Sequence, residues 1–284
     1  MTELTRSLDA ANATAFIPAI WSTIVVDNYI AEAVISDRVD RRFEKDLSYG
    51  ATVVTGTITE VAPIQRSANT DYVYNTVVET NVNVTVNQDY YIFRMIEPMT
   101  VKQSIVDLIT QYAKIDGRSM AKKIDQTLAA LIDTLHGSTR KGTIAVDVED
   151  DNMIDCVTAL NANNVPFEDR SWIISSETWG SLMKIDKFVR LDYVNPSGDT
   201  AVMRSKLNYP IYGAPVFVSN ALEENAGNHN NVFMQKEAIR LIVQQEPKVV
   251  KAYDVRRGCD TLAIEALWGA AEAREYSGIC LYGK

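Results

Sequence analysis

Two histidines and three cysteines are the residues of this chain best suited to metal or nucleophilic chemistry. A zinc site needs such ligands grouped at close spacing. His136 and His229 each lack a second histidine or a cysteine nearby in sequence. His136 is expected at a helix C-terminus, where an imidazolium meets the dipole favourably. His229, in Asn228-His229-Asn230-Asn231, reads as a loop tip. Cys156, Cys259 and Cys280 are odd in number and widely spaced, which suggests neither a disulfide framework nor a zinc knuckle and suits a reducing cytoplasm. The acid pairs Asp150-Asp151 and Glu223-Glu224 are explained by caps and turns, because adjacent side chains point in different directions. Gly137-Ser138-Thr139-Arg140-Lys141-Gly142 has the residue types of a phosphate loop in the wrong order, and it follows a helix instead of preceding one. No Gly-x-Ser-x-Gly elbow or Gly-rich dinucleotide turn occurs. The expectation is a non-enzymatic chain with no catalytic, cofactor-binding or metal-binding residues. A carboxylate-dependent enzyme, which leaves no sharp motif, is the alternative from another class.

The elements around these residues are distinctive. Apolar residues recur at gaps of three and four at Val101, Ile105, Leu108, Tyr112, Ile115, Ile124, Leu128, Leu131 and Leu135, which predicts one helix from Thr100 to about His136. Thr100 and Gln103 form a capping-box pair, and Gly137 stands where a left-handed residue would close the last turn. At 1.5 Å per residue this helix would be about 54 Å long. The stripe skips at Asp116-Gly117, so a bend or break is expected at Gly117, glycine costing about 1 kcal/mol in a helix interior.

Before the helix, residues 1–45 read as an arm and a helix through Ile20, Ile24, Val25 and Tyr29. Next comes the cluster Asp37-Arg38-Val39-Asp40-Arg41-Arg42. Its arginines are either partner contacts or members of local ion pairs on a solvated face. From Asp46 to Glu97 period-two alternation takes over, most clearly in Asn81 to Asn87, with a turn-rich connection over Pro63 to Asp71. A long hairpin projecting from the body is expected, and because a two-stranded ribbon is marginal alone in water, it is expected to lie on a neighbouring subunit. After the helix, residues 143–246 read as a compact α+β domain. It has a helix over Asp151 to Asn163 with Ile154, Val157 and Leu160 on one face, a buried strand at Trp172-Ile173-Ile174, and Ser176 capping the next helix. A strand-like run through Leu262 and Ile264 follows, although Ala263 to Ala273 would also suit a helix.

At 284 residues, with 46% hydrophobic and 23% charged content, the chain has the composition of a soluble globular protein. No run approaches a membrane span, and the first residues lack the pattern of a secretory signal. The net charge of −9 argues against a dedicated nucleic-acid binder.

The order of parts, from arm and projecting ribbon through long helix and α+β domain to returning strand, resembles the tailed-bacteriophage major capsid proteins of the Hong Kong 97-like fold. Phe16-Ile17-Pro18-Ala19-Ile20-Trp21-Ser22 resembles their opening. Arg170 to Trp179 resembles the strand and helix of their axial domain. Tyr212-Gly213-Ala214-Pro215-Val216 is similar to a turn in that domain, and Leu267-Trp268-Gly269-Ala270-Ala271 to the closing strand of the peripheral domain.

The resemblance implies an α+β shell subunit divided into an arm (1–45), an extended β-loop and strand (46–97), a peripheral domain with a spine helix (98–142), an axial domain (143–246) and returning peripheral strands (247–284). It implies self-assembly as hexamers and pentamers into an icosahedral virion shell around double-stranded DNA, in the host cytoplasm, with a portal and without membrane or cofactor. The expected assembly contacts are Arg38, Arg41, Arg42, Ile58, Val61, Ile64, Arg66, Tyr72 and Tyr74. The expected helix core is Ile105, Leu108, Tyr112, Ile124, Leu128 and Leu131. Some family members weld subunits through a lysine on the extended loop. No lysine lies between Asp46 and Glu97, so that chemistry is not expected. Nor does a long scaffolding region precede the arm, so any scaffold is expected to be a separate protein. An encapsulin-like nanocompartment shell and a tail structural protein are the nearest alternatives.

Overall fold

Alternation and helical periodicity divide the chain into strands and helices that form three sheets. The computed structural model describes residues 34–46, 50–58, 61–65, 68–69, 71–72, 74, 79–96, 108–144, 146–189, 210–222, 224–225 and 228–283. Residues 1–33 of the expected arm (1–45), the Thr100–Gln103 capping pair, Ile105 and Arg66 lie outside them.

Strands β1 (Thr52–Ile58) and β2 (Glu79–Thr85) pair antiparallel as the ribbon read from the alternation, Thr52 facing Thr85 at one end and Ile58 facing Glu79 at the other. Along β2 burial rises from exposed Asn81 to buried Val84, so the ribbon is fastened at its root. The chain then runs through β3 (Gln88–Ile96), helix α1 (Leu108–Ala129), β4 (Arg140–Lys141), α2 (Asp150–Ala162), β5 (Arg170–Ile174), α3 (Ser176–Leu182) and α4 (Asp186–Val189). It closes with β6 (Val216–Val218), β7 (Glu224–Asn225), β8 (Asn228–Gln235), β9 (Ile239–Asp254), β10 (Cys259–Glu272) and β11 (Gly278–Gly283).

The second sheet is antiparallel, in the order β3-β10-β9. The run whose periodicity also suited a helix is therefore strand, since Leu262, Ile264, Ala266 and Trp268 point to one core at period two. Helix α1 covers that face with Met120, Ala121, Ile124 and Leu128. The third sheet has the order β4-β11-β8-β5-β6, with β7 beside β8. It is buried on both faces, and successive residues go to different cores. Trp172, Ile174, Phe233, Ile279 and Leu281 meet α2 residues Met153, Cys156 and Leu160. Ile173, Val232, Met234 and Cys280 join the α1 core instead.

Several sequence expectations are corrected. The helix ends at Ala129, not His136; a 3-10 turn over Ile132–Thr134 follows, and its Ile132 and Leu135 fill the core at three-residue spacing. Helix α1 stays helical through Asp116 and Gly117, so there is no break there. On α2, Ile154 is exposed, and Met153, Cys156 and Leu160 form the buried face. Ser175, not Ser176, caps α3, its hydroxyl accepting from the Thr178 N–H at 3.1 Å. Strands β4 and β11 belong to the six-stranded sheet beside β8 and β5. β11 is apolar on both faces and fits only a sheet covered on both sides.

Candidate assembly surfaces

The described residues of the connection between β1 and β2 are open to solvent. Val61 is 39% exposed, Ile64 57%, Tyr72 75% and Tyr74 97%. Ile58 lies in β1 opposite Glu79. Large apolar side chains displayed together on a monomer mark a contact surface or an aggregation hazard.

A second apolar surface, missed in sequence, lies on the three-stranded sheet. Alternation in β3 turns Tyr90 and Ile92 toward the core and leaves Tyr91, Phe93 and Met95 open, at 73%, 50% and 46% exposure. Register places Phe93 beside Ala263, whose other neighbour, Val250 of β9, is itself exposed. The sequence signal was available, since Tyr91, Phe93 and Met95 are apolar residues on the alternate face of a strand whose other face is also apolar.

The three arginines are engaged within the subunit. Arg38 stacks on the Phe217 ring at 4.0 Å. Arg41 pairs with Glu44 at 2.7 Å. Arg42 forks onto buried Asp40, Nε to Oδ1 at 2.9 Å and Nη2 to Oδ2 at 3.2 Å, and reaches Glu237 at 2.8 Å. Burial opposes ionisation of Asp40, yet the hydrogen bonds and charge of Arg42, with Arg240 behind, hold its carboxyl below the ordinary value. Asp40, Arg41, Arg42, Asp169 and Glu237 line a cleft of about 360 Å³ whose charges largely cancel.

On α1, Ile124 and Leu128 are fully buried, and Leu131, just past its end, is partly buried against the same core. Tyr112 is half-buried, with the Arg94 guanidinium 5.0 Å from its ring centroid. Leu108 begins the described helix. Two acids on this helix are buried, Asp116, which the sequence offered as a gap in the stripe, and Asp125, which it did not mark. Asp116 grips Arg94 of β3 through both oxygens, Nε to Oδ2 at 2.6 Å and Nη2 to Oδ1. The Asp125 carboxylate accepts three backbone N–H groups, from Val34, Ile35 and Ser36. Burial pushes the Asp125 pKa up despite those bonds. The signal at Asp116 was an acid at helical spacing within an apolar stripe, as in Asp116-Met120-Ile124-Leu128. A buried acid must find donors.

The polar residues of the six-stranded sheet serve structure. Asn231 accepts from the Ser175 N–H at 2.7 Å and donates to Thr178 Oγ1 and the Leu281 carbonyl. Arg170, buried beside Phe167, donates to the Pro166 and Val165 carbonyls and to Asn161. His229 is a residue of β8, not a loop tip, with Nε2 3.3 Å from Glu177. His136 has a left-handed backbone (φ 56°) and follows a 3-10 turn. Burial, helped by Lys141, holds its imidazole below the ordinary value, so it does not serve as a charged cap. Cys156 and Cys280 are free, and burial pushes both thiols up to about 12. Asp150 is bridged by Lys187 and by the Tyr212 hydroxyl. Among the described residues, no group of three or more His, Cys, Asp or Glu could hold a metal ion. No described helix is long and apolar enough to cross a membrane.

No protein-family model matches the chain, and no curated protein matches its sequence. Solved structures match its fold. A structure from Mycobacterium phage Che8 is 20% identical with a TM-score of 0.75, over 99% of this chain and 96% of that one. The capsid structure of cyanophage P-SCSP1u is 16% identical with a TM-score of 0.73, over 88% of each chain. A virus-like particle from Pyrococcus furiosus is 11% identical with a TM-score of 0.62, over 94% of this chain and 100% of that one. The mixed α+β fold of this chain is thus the fold of phage capsid proteins, the family its sequence resembles.

Proposed function

We propose that this chain is a Hong Kong 97-like shell subunit, the major capsid protein of a tailed phage, which assembles as hexamers and pentamers into an icosahedral container for double-stranded DNA. The observation that carries the reading is the pairing of a capsid fold with two open apolar surfaces, one on the β1–β2 connection and one on the three-stranded sheet. A monomer exposing Tyr72, Tyr74, Tyr91 and Phe93 needs copies of itself to cover them. Ile58, Val61, Ile64, Arg66, Tyr72 and Tyr74 are assigned to the contact with a neighbour. Arg38, Arg41 and Arg42, already engaged within the subunit, are assigned to bracing it. The acidic net charge of −9 suits a wall that must not bind its DNA tightly. A portal and a scaffolding protein complete the assembly. The mature location is the virion, reached from the host cytoplasm.

A nanocompartment shell is the second reading, favoured by the likeness to the Pyrococcus furiosus virus-like particle. Negative-stain microscopy and light scattering of the expressed protein test the shell reading. Closed shells or ring-shaped capsomers are expected, and a dispersed monomer under all conditions overturns it. Nucleic acid inside the particles favours the phage reading, and a protein cargo the nanocompartment.

A further inference from the structure

One short segment reaches from helix α1 to the ribbon root. At its head, the N–H groups of Val34, Ile35 and Ser36 donate to the Asp125 carboxylate at 3.0, 3.2 and 3.1 Å. Three donors converging on one buried carboxylate fix the backbone there more firmly than side-chain packing would. Ile35 and Val39 are then fully buried beneath α1. Asp40 lies along the start of β9, its N–H donating to the Ile239 carbonyl and its own carbonyl accepting from the Leu241 N–H, both at 3.0 Å. Three residues further on, Phe43 packs into a small separate core with Val53, Val84, Val86 and Ile242. The Arg240 guanidinium lies 4.1 Å over its ring. That small core is the root of the ribbon, where the Val86 N–H donates to the Ala51 carbonyl at 2.8 Å.

We propose that residues 34–46 are a strap coupling the spine helix to the ribbon, with Asp125 as the positioning residue at one end and Phe43 at the other. The strap has hydrogen-bonded or buried contacts at Ser36, Val39, Asp40 and Phe43 and no long slack stretch between them. A change at the Asp125 end therefore reaches the ribbon root, and by reciprocity a change at the ribbon root reaches the Asp125 end. If the ribbon lies on a neighbouring subunit, a consequence that rests on the shell reading, each such contact stabilises the docked N-terminal segment of its own subunit. The coupling itself does not depend on assembly.

Amide hydrogen exchange on the full-length, unassembled subunit tests it. Asp125→Asn turns one acceptor oxygen into an NH₂ group facing N–H donors. Exchange at Ile35 and Ser36 is expected to quicken at least tenfold, and exchange at Val86 likewise, while the amides of β5 keep their rates. Phe43→Leu acts from the other end and is expected to give the same pattern, quickening Ile35 and Ser36 along with Val86. Acceleration confined to the mutated end of the strap, in either variant, overturns the coupling. So does uniform acceleration that includes β5. Should Asp125→Asn fail to fold, Phe43→Leu alone decides the question. Because the measurement is made without shells, a failed assembly reading leaves the outcome intact.

Discussion

Gly269→Ala probes the crossing of ribbon and sheet. A Cβ at Gly269 would stand 2.3 Å from the Thr85 carbonyl oxygen and 2.8 Å from the Val86 Cα. Both neighbours are backbone, at the end of β2 and the residue after it, so no side chain can swing away. Restoring ordinary contact requires the ribbon root to retreat by roughly 1 Å. Overpacking of this kind costs about 1–3 kcal/mol, and a backbone obstacle belongs in the upper half of that range. At about 2–4 °C per kcal/mol for a chain of this class, the melting temperature should fall by about 4–12 °C. Thermal unfolding of the unassembled subunit, followed by circular dichroism, gives the value. Gly56→Ala is the control, since a Cβ there meets only Asn81 Oδ1 at 3.7 Å, an ordinary contact. That variant should lie within about 0.5 kcal/mol of the parent. A Gly269→Ala subunit melting within about 2 °C of the Gly56→Ala subunit would refute the close-crossing argument.

Gly180 lies in α3, and a Cβ added there would meet nothing within 4 Å, so Gly180→Ala should stabilise the subunit by about 0.5–1 kcal/mol in urea unfolding. Because burial holds the folded His136 pKa below its ordinary value, the unfolded chain takes up the proton first as pH falls through about 6.5. Its contribution is fully present above about pH 6.5 and is lost as pH falls toward the lower folded pKa; His136→Gln should flatten that slope in urea midpoints between about pH 7.5 and about 5.5. The Cys156 and Cys280 thiols, pushed up to about 12, should stay unreactive toward a thiol reagent in the folded subunit, with all three cysteines titrating on unfolding. With no lysine between Asp46 and Glu97, particles boiled in detergent should run as single subunits, and a ladder of covalent multimers would contradict this.

The ribbon was legible because Asn81 to Asn87 alternates strictly, and a period of two has no helical reading. The body of α1 was legible from Ile124 and Leu128, which sit where the stripe placed them. Its end was not. Leu131 and Leu135 continue the helical spacing in sequence, but the backbone tightens into a 3-10 turn that buries Ile132 and Leu135 instead. Both readings satisfy the same letters. Asp116 reads in sequence as a gap in the apolar stripe and Asp125 carries no signal at all, because both acids are held by partners distant in sequence, Arg94 and the backbone of residues 34–36. The arginines of residues 38–42 could be read as contacts or as local pairs, and only the fold brings Phe217, Glu237 and Arg240 beside them. The open face of β3 was hidden for a different reason: a strand apolar on both faces looks wholly buried until its partners are known.

The stacked aromatic pairs give the subunit two optical reporters. Trp268 lies against Tyr90 in the core beneath α1, its ring centroid 5.1 Å away and its indole N–H without a hydrogen-bond partner among the described residues. Trp172 lies against Phe233 at 4.1 Å in the core beneath α2, its indole N–H donating to the Ile211 carbonyl at 3.2 Å. One indole is thus hydrogen-bonded and the other is not, so their emission differs in wavelength as well as in location. With Trp21 and Trp179 also replaced by phenylalanine, removing either of the two leaves the other as the one tryptophan of the chain, and the order in which the two cores loosen can be followed as colour, without an attached dye.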